Sequence, residues 1–217
     1  MKIADLTHTI YPGMSVFPGT GQPVFNKVNT IELHGFRESI ITMYTHTGTH
    51  MDAPAHMLDN GLFLDEFDVE HFIGNAIILN FSDLKTGLIS VDDLIPWKKK
   101  IQNVEFLLIK TGWSKYWGLS KYYNNFPTLS EAAAEWLTGF KLKGVGIDAI
   151  SIDNMASTTF VVHKILLSNN ILIVENLTNL DSVENECFIF CVMPLKTMDS
   201  DGSPVRAIAI EKGLSLY

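Results

Sequence analysis

Cysteine is scarce in this sequence. Its two cysteines, Cys187 and Cys191, stand four positions apart in Cys-Phe-Ile-Phe-Cys. On an extended strand they would share a face with their Cα atoms about 13 Å apart, which is too far for a disulfide bond. We therefore expect two reduced cysteines in the core of a cytoplasmic protein, rather than a disulfide or a pair of metal ligands.

Runs of positive charge and long apolar runs are also missing. No run of lysine or arginine is longer than residues 98–100, and the formal net charge is −8. This argues against nucleic acid as a partner, because affinity for phosphates requires positive charge, and against docking on an anionic membrane. No apolar stretch approaches the roughly 20 residues that span a bilayer. Asp5 and His8 interrupt the segment where a signal peptide would lie.

The hydrophobic content, 47% of 217 residues, is sufficient for the core of one domain covering residues 1–217. Apolar runs predict strands at 24–31, 38–44, 76–81, 105–111, 143–148, 171–177, 188–192 and 205–211. Helical patterns lie at 128–137, where Ser130 can cap the helix, and at 158–170, where Thr158 and Thr159 can do so. The sequence of helix, glycine and strand after position 128 is typical of an α/β fold.

Histidine, in contrast, is concentrated between positions 46 and 56, where three of the seven histidines and one aspartate stand in His-Thr-Gly-Thr-His-Met-Asp-Ala-Pro-Ala-His. On an extended backbone His50 and Asp52 share a face. His46 would lie about 13 Å from His50 on a straight strand, so the two can reach one ion only if the chain bends, which Gly48 permits. A helix would pair them too, but Gly48 and Pro54 disfavour one. Imidazoles and a carboxylate on a bent loop indicate a divalent transition metal; ordinary polar loop residues are the alternative.

A second hint of metal comes from Glu175, an acid at the end of the apolar run 171–174. A buried carboxylate is unfavourable unless it is paired or bound to a metal.

The segment from His46 to His56 resembles the signature H-x-G-T-H-x-D-A-P-x-H of the cyclase family of metal-dependent hydrolases, whose best-known member is bacterial kynurenine formamidase. Every fixed position matches. The resemblance implies an α/β fold of the swivelling β/β/α type, with a mixed sheet or barrel-like core and a few outer helices. It also implies one or two divalent ions per chain, zinc or manganese. His46, His50 and Asp52 would hold one ion and His163 and Glu175 the other, with both carboxylates able to bridge.

The same resemblance implies a function, the hydrolysis of an aryl or cyclic amide by hydroxide that the metal generates, with His56 as general acid and base. Phe17 stands where the family has an aromatic residue at the mouth of the substrate pocket, although kynurenine formamidases favour tryptophan there. The substrate could therefore be N-formylkynurenine, in tryptophan catabolism, or a cyclic amide such as isatin. A catalytically silent metal-binding scaffold or sensor is the alternative of another class. Family members are often homodimers, so a homodimer or higher homo-oligomer is expected.

Three further segments resemble family patterns, namely 111–113 (T-G-W), 148–153 (D-x-x-S-x-D) and 201–206 (D-G-x-P-x-R). The first either lies at the edge of the active site or forms a strand end and a core aromatic. The second either lies near the site or contains structural turn aspartates.

Overall fold

A computed structural model describes residues 1–84 and 87–211 of the chain. The strands of the described residues are β1 Lys2–Asp5, β2 Val24–Asn29, β3 Glu38–Thr42, β4 His50–Asp52, β5 Ile73–Asn80, β6 Leu88–Ile89, β7 Phe106–Lys110, β8 Thr128–Leu129, β9 Gly144–Ile147, β10 Leu172–Glu175, β11 Phe188–Pro194 and β12 Gly202–Glu211. The α-helices are α1 Ile31–His34, α2 Val91–Leu94, α3 Lys98–Ile101, α4 Glu131–Leu137 and α5 Val161–Ser168.

Seven strands close into a mixed barrel in the order β12-β11-β5-β7-β9-β10-β4, and β4 returns to pair with β12. Strands β5, β7, β9 and β10 run parallel to one another. The remaining contacts of the barrel are antiparallel, and β1 extends the sheet beyond β12. The α/β fold with a barrel-like mixed core and a few helices is confirmed.

The parallel strands are buried on both faces. In β7, Phe106 and Leu108 pack in the barrel interior, whereas Leu107 and Ile109 face an outer layer that includes residues of α4 and α5. Such strands read as unbroken apolar runs because neither face meets water. The strand prediction at 105–111 is confirmed for this reason.

Strand β4 was not anticipated as a separate element. The sequence predicts a strand over 38–44 that leads into a loop at the histidine cluster. The structure instead ends β3 at Thr42 and forms a new three-residue strand over His50–Asp52, held between β10 and β12. Its partners lie far along the chain, so no local pattern identifies it.

Helix α5 begins later than predicted and has a different cap. Neither Thr158 nor Thr159 caps it; the backbone N–H groups of Val162 and His163 instead donate to the carboxylate of Asp153, at 3.2 and 3.0 Å. A carboxylate at this end also complements the helix dipole. The prediction that Ser130 caps α4 is confirmed.

The prediction that both cysteines lie in the core is wrong. Cys187 is exposed and Cys191 is half-buried, and both thiols are free. Phe188, Phe190 and Val192 point into the barrel, so alternation along β11 places the cysteines on the opposite face.

Strands β2 and β3 form a separate two-stranded hairpin. The residues of both strands are exposed apart from the end of β2, although many are apolar; Ile40 and Ile41, which point to opposite faces, are 56% and 51% exposed. Among the described residues, none of the helices is both long and apolar enough to cross a membrane.

Candidate metal centre

Strand β4 brings two of the predicted ligands into the barrel wall. Its pairing places Glu175 of β10 opposite His50 and Gly202 of β12 opposite Asp52. Met51 is fully buried in the interior, and His50 and Asp52 therefore project from the outer face. Residues directly opposite each other on antiparallel strands are side-chain neighbours, which explains why Glu175 joins His50.

His46, His50 and Asp52 form a first group whose potential ligand atoms all lie within 4.8 Å of one another. Asp52 Oδ1 is 2.6 Å from His46 Nδ1 and 3.3 Å from His50 Nε2. Gly48, with φ of 69°, turns the chain between the two histidines, in a region that glycine enters without strain. The predicted bend at this glycine is confirmed.

Asp52, His163 and Glu175 form a second group of the same kind. His163 Nε2 is 3.6 Å from Asp52 Oδ2 and 3.2 Å from Glu175 Oε1. The other oxygen of Glu175 lies 3.6 Å from His50 Nε2. Each carboxylate therefore faces a histidine of each group, and the structure brings all five predicted residues together from two distant parts of the chain.

The charges of the site are almost completely buried: the side chains of Asp52 and Glu175 are 1% and 6% exposed. Burial opposes a charge on His163, but hydrogen bonds to Asp153 and Glu175 outweigh it and raise its pKa to about 10. Burial is likewise outweighed at His46, where Asp52 contributes most to raising the pKa to about 9. Protons on the histidines thus balance the carboxylates, and a divalent cation could replace those protons. Histidine and carboxylate donors of this kind fit zinc or manganese.

Asp153 fixes the orientation of His163. Its Oδ2 lies 2.6 Å from His163 Nδ1, and the same carboxylate accepts the two backbone hydrogen bonds at the start of α5. The proton is therefore held at Nδ1, and Nε2 is left facing Asp52 and Glu175. Asp153 belongs to the segment 148–153, for which sequence alone left a place beside the site and a structural turn equally open.

Asn176 supports His50 in a similar way, and sequence reasoning did not identify it. Its Nδ2 donates to the carbonyl oxygen of Gly48, and that oxygen also accepts from His50 Nδ1, both at 2.8 Å. The buried hydroxyl of Tyr122 donates in turn to Asn176 Oδ1. The only feature of the sequence that could have identified Asn176 was its position directly after Glu175.

Asp201 is the acid that sequence reasoning missed. Its Oδ2 lies 3.1 Å from His46 Nε2 and 3.7 Å from His56 Nδ1, so these three residues form a third candidate group. The His56 ring stands 3.9 Å from the His46 ring, centroid to centroid. Burial lowers the pKa of His56, and the carboxylate of Asp52 offsets only part of this effect. His56 is therefore neutral at pH 7.

Gly202, which follows Asp201, leaves room for His46. A β-carbon at this position would overlap the imidazole ring, reaching within 2.6 Å of its Nε2. The D-G pair of the segment 201–206 thus contributes both a carboxylate and the space for a histidine.

A cavity of about 390 Å³ opens onto these groups. Its lining includes the aromatic residues Phe17, Tyr44 and Phe160 together with all five predicted ligands, His56 and Asp201. Phe17 lines this cavity and also packs against the outer hydrophobic core. Among the described residues, no lysine or arginine lines this cavity.

The T-G-W segment has a structural role. Asp148 accepts hydrogen bonds from the backbone of Thr111 and Gly112, and Trp113 packs against the outer core and donates to the carbonyl oxygen of Tyr122. None of these residues lines the cavity.

Comparison with known proteins agrees with this geometry. A family model described as "Putative cyclase" matches residues 4–154. An uncharacterised protein of Methanocaldococcus jannaschii is 37% identical over 97% of this chain and 100% of its own length. The chain belongs to the cyclase family.

Other cyclase-family proteins add detail. A kynurenine formamidase of Bacillus cytotoxicus is 32% identical over 77% of each chain. A solved structure called "Potential Metal-Dependent Hydrolase With Cyclase Activity" has a TM-score of 0.81 and 30% identity, covering 96% of both chains. An isatin hydrolase with bound thioisatinate reaches a TM-score of 0.87 over 96% of this chain and 91% of its own, at 23% identity, which shows a shared fold. Like these relatives, the chain is a hydrolytic enzyme.

Proposed function

We propose that this protein is a metal-dependent amide hydrolase. The observation that carries the proposal is the placement of Asp52 and Glu175. Each of these two buried carboxylates faces His50 of the first group and His163 of the second. Buried carboxylates so close together require positive charge between them. Divalent cations supply that charge and, when bound, acidify water and polarise a carbonyl oxygen.

His46, His50 and Asp52 are the proposed ligands of one ion, and His163 and Glu175 those of a second. Asp52 and Glu175 can each serve both ions, because each has one oxygen near His50 and the other near His163. The same residues could hold a single ion.

His56 is the proposed general acid and base. Its lowered pKa leaves the ring neutral at pH 7, so it can accept a proton from water before it donates one. The carboxylate of Asp201, 3.7 Å from Nδ1, would stabilise the charge of the ring once it has accepted that proton. In the reaction, water adds to the amide carbonyl carbon, His56 passes a proton to the leaving nitrogen, and the C–N bond breaks to give an acid and an amine.

The cavity favours an aromatic substrate. Phe17 is the proposed aromatic contact at its mouth, and the acids at its base have no lysine or arginine beside them among the described lining residues. N-formylkynurenine, which carries a free carboxylate, remains the first named candidate from the family. Isatin is the second.

A substrate panel on zinc- or manganese-loaded protein tests the proposal. Formanilide, N-formylkynurenine and isatin are the probes, and we expect turnover of at least one. His56→Ala should reduce kcat by about 10²- to 10⁴-fold while the bound metal remains. His71→Ala is the matched control, because His71 contacts the carbonyl oxygen of Lys143 and no group of the site. Bound metal without cleavage of any probe would favour the scaffold or sensor.

We also propose a homodimer or higher homo-oligomer, with the β2–β3 hairpin as a contact. The hairpin exposes apolar residues on both faces, a surface that usually marks an interface. Tyr44, two residues after the end of β3, lines the cavity, so a second copy at the hairpin would lie beside the substrate. Light scattering on the full chain, compared with Ile40→Lys, tests this proposal; a monomeric wild type would contradict it.

A further inference from the structure

Phe160 has an unusual backbone conformation for its residue type. It precedes α5 with φ of 50° and ψ of 49°, in the left-handed region. The other non-glycine residues with positive φ, among those the structure describes, are Asn125, Asn170, Asn176, Asn179 and Asp199. Short polar side chains tolerate this region, whereas a bulky aromatic residue is strained there.

Hydrogen bonds on both sides hold Phe160 in place. Its N–H donates to Ser157 Oγ at 3.0 Å, and its carbonyl oxygen accepts from Lys164 N in the first turn of α5 at 3.1 Å. Asp153 fixes the next N–H groups of the helix. The chain must therefore turn sharply at position 160, and glycine would make this turn without strain.

The side chain that accompanies this strain lies in the cavity. Phe160 lines it together with Phe17, and its ring stands 5.9 Å from the ring of His163, nearly perpendicular at 88°. Its ring is half-buried, and it borders the space next to the proposed ligands. Strained residues persist where the surrounding structure forces them, and they are concentrated at functional sites.

We infer that Phe160 is a specificity-determining residue whose ring stacks on the planar part of an aryl amide or lactam. The inference rests on the proposed function, because it assigns the substrate class of the same cavity. An aromatic contact of this kind favours planar ligands beyond their apolar area.

A pair of variants separates the strain from the ring. Phe160→Gly and Phe160→Ala both remove the ring, but only glycine relieves the backbone. We expect the metal-loaded glycine variant to melt about 2–4 °C above the alanine variant. At an unstrained position the alanine variant would have the higher melting temperature. An alanine variant that melts at the same temperature as the glycine variant, or above it, would therefore contradict the backbone strain at Phe160.

Ligand binding tests the ring without requiring catalysis. Oxindole, a stable planar lactam, should bind zinc-loaded Phe160→Ala and Phe160→Gly about 3- to 10-fold more weakly than wild type in calorimetry. The KM for formanilide should rise by a similar factor with a smaller change in kcat. Asn170→Gly, at the other end of α5 and also at positive φ, should change neither value.

The outcomes distinguish this inference from the proposed function. A wild type that binds oxindole but cleaves no probe would refute the hydrolase and leave the ligand contact standing. Equal oxindole affinity in wild type and both variants, or no binding to wild type, would overturn the role of Phe160.

Discussion

Replacing Asp153 with asparagine should weaken metal binding without removing any proposed ligand. The carboxylate of Asp153 accepts hydrogen bonds from three donors: His163 Nδ1 at 2.6 Å and the backbone N–H groups of Val162 and His163. An asparagine offers one acceptor oxygen, and its amide nitrogen would face a donor. The ring of His163 could then carry its proton on Nε2, where it cannot bind a cation.

The size of the effect follows from this contact. Loss of a carboxylate that orients a metal-binding histidine typically reduces metal affinity by about 10- to 100-fold, equivalent to about 1.4–2.7 kcal/mol. The apparent dissociation constant for Zn²⁺, measured by competition with a chromophoric chelator, should rise by this factor in Asp153→Asn. Stability will also fall, because α5 loses part of its cap.

Asp148→Asn is the matched control. Asp148 is also buried and also accepts three hydrogen bonds, but from Thr111 and Gly112. This variant should lose stability while its zinc dissociation constant stays within about twofold of wild type, because none of these bonds reaches the proposed ligands. Equal zinc affinity in wild type and Asp153→Asn, or an equal loss in both variants, would refute the reasoning.

Three further predictions test the site and its surroundings. Gly202→Ala should weaken zinc binding by about tenfold or more, because the methyl group would displace the ring of His46; Gly139→Ala is the control, and equal affinity in both would contradict the packing. Removing bound metal with a chelator should lower Tm by about 5–10 °C relative to protein with zinc at 100 times its Kd, and added zinc should restore it; an unchanged Tm would mean that no cation is held. Burial lowers the pKa of His8 from 6.5 to about 4, so the unfolded chain binds more protons below pH 6.5 and this part of the stability is lost as the pH falls. The difference between pH 7 and pH 5 should be about 2 kcal/mol, and His8→Phe, which can keep the stack on Trp117 at 4.0 Å, should abolish it in denaturant titrations; the same pH dependence in both proteins would contradict this assignment.

Local features of the sequence were sufficient for much of this structure. The apolar runs gave the parallel strands because those strands are buried on both faces, and Ser130 identified the start of α4 because its hydroxyl caps the helix locally. The bend at Gly48 followed from the spacing of His46 and His50 together with the freedom of glycine.

Contacts between distant segments explain what was missed. Asp201 reaches His46 and His56 only because β12 pairs with β4, and no pattern near either segment specifies that pairing. Two threonines fit the expected cap of α5, but tertiary structure brought Asp153 to the same N–H groups. The prediction that both cysteines lie in the core was wrong for a related reason. Alternation predicts that they share a face of the strand, but it does not predict which face is buried.

Strand β4, which carries His50 and Asp52, is only three residues long, yet it closes the barrel. It is hydrogen-bonded to β10 on one edge and to β12 on the other. If β4 detached, its pairings with β10 and β12 would both be lost. The edges of those two strands would then be exposed, and unpaired strand edges can pair with other chains. A cation bound between β4 and Glu175 would hold the barrel closed. Metal binding should therefore also oppose aggregation.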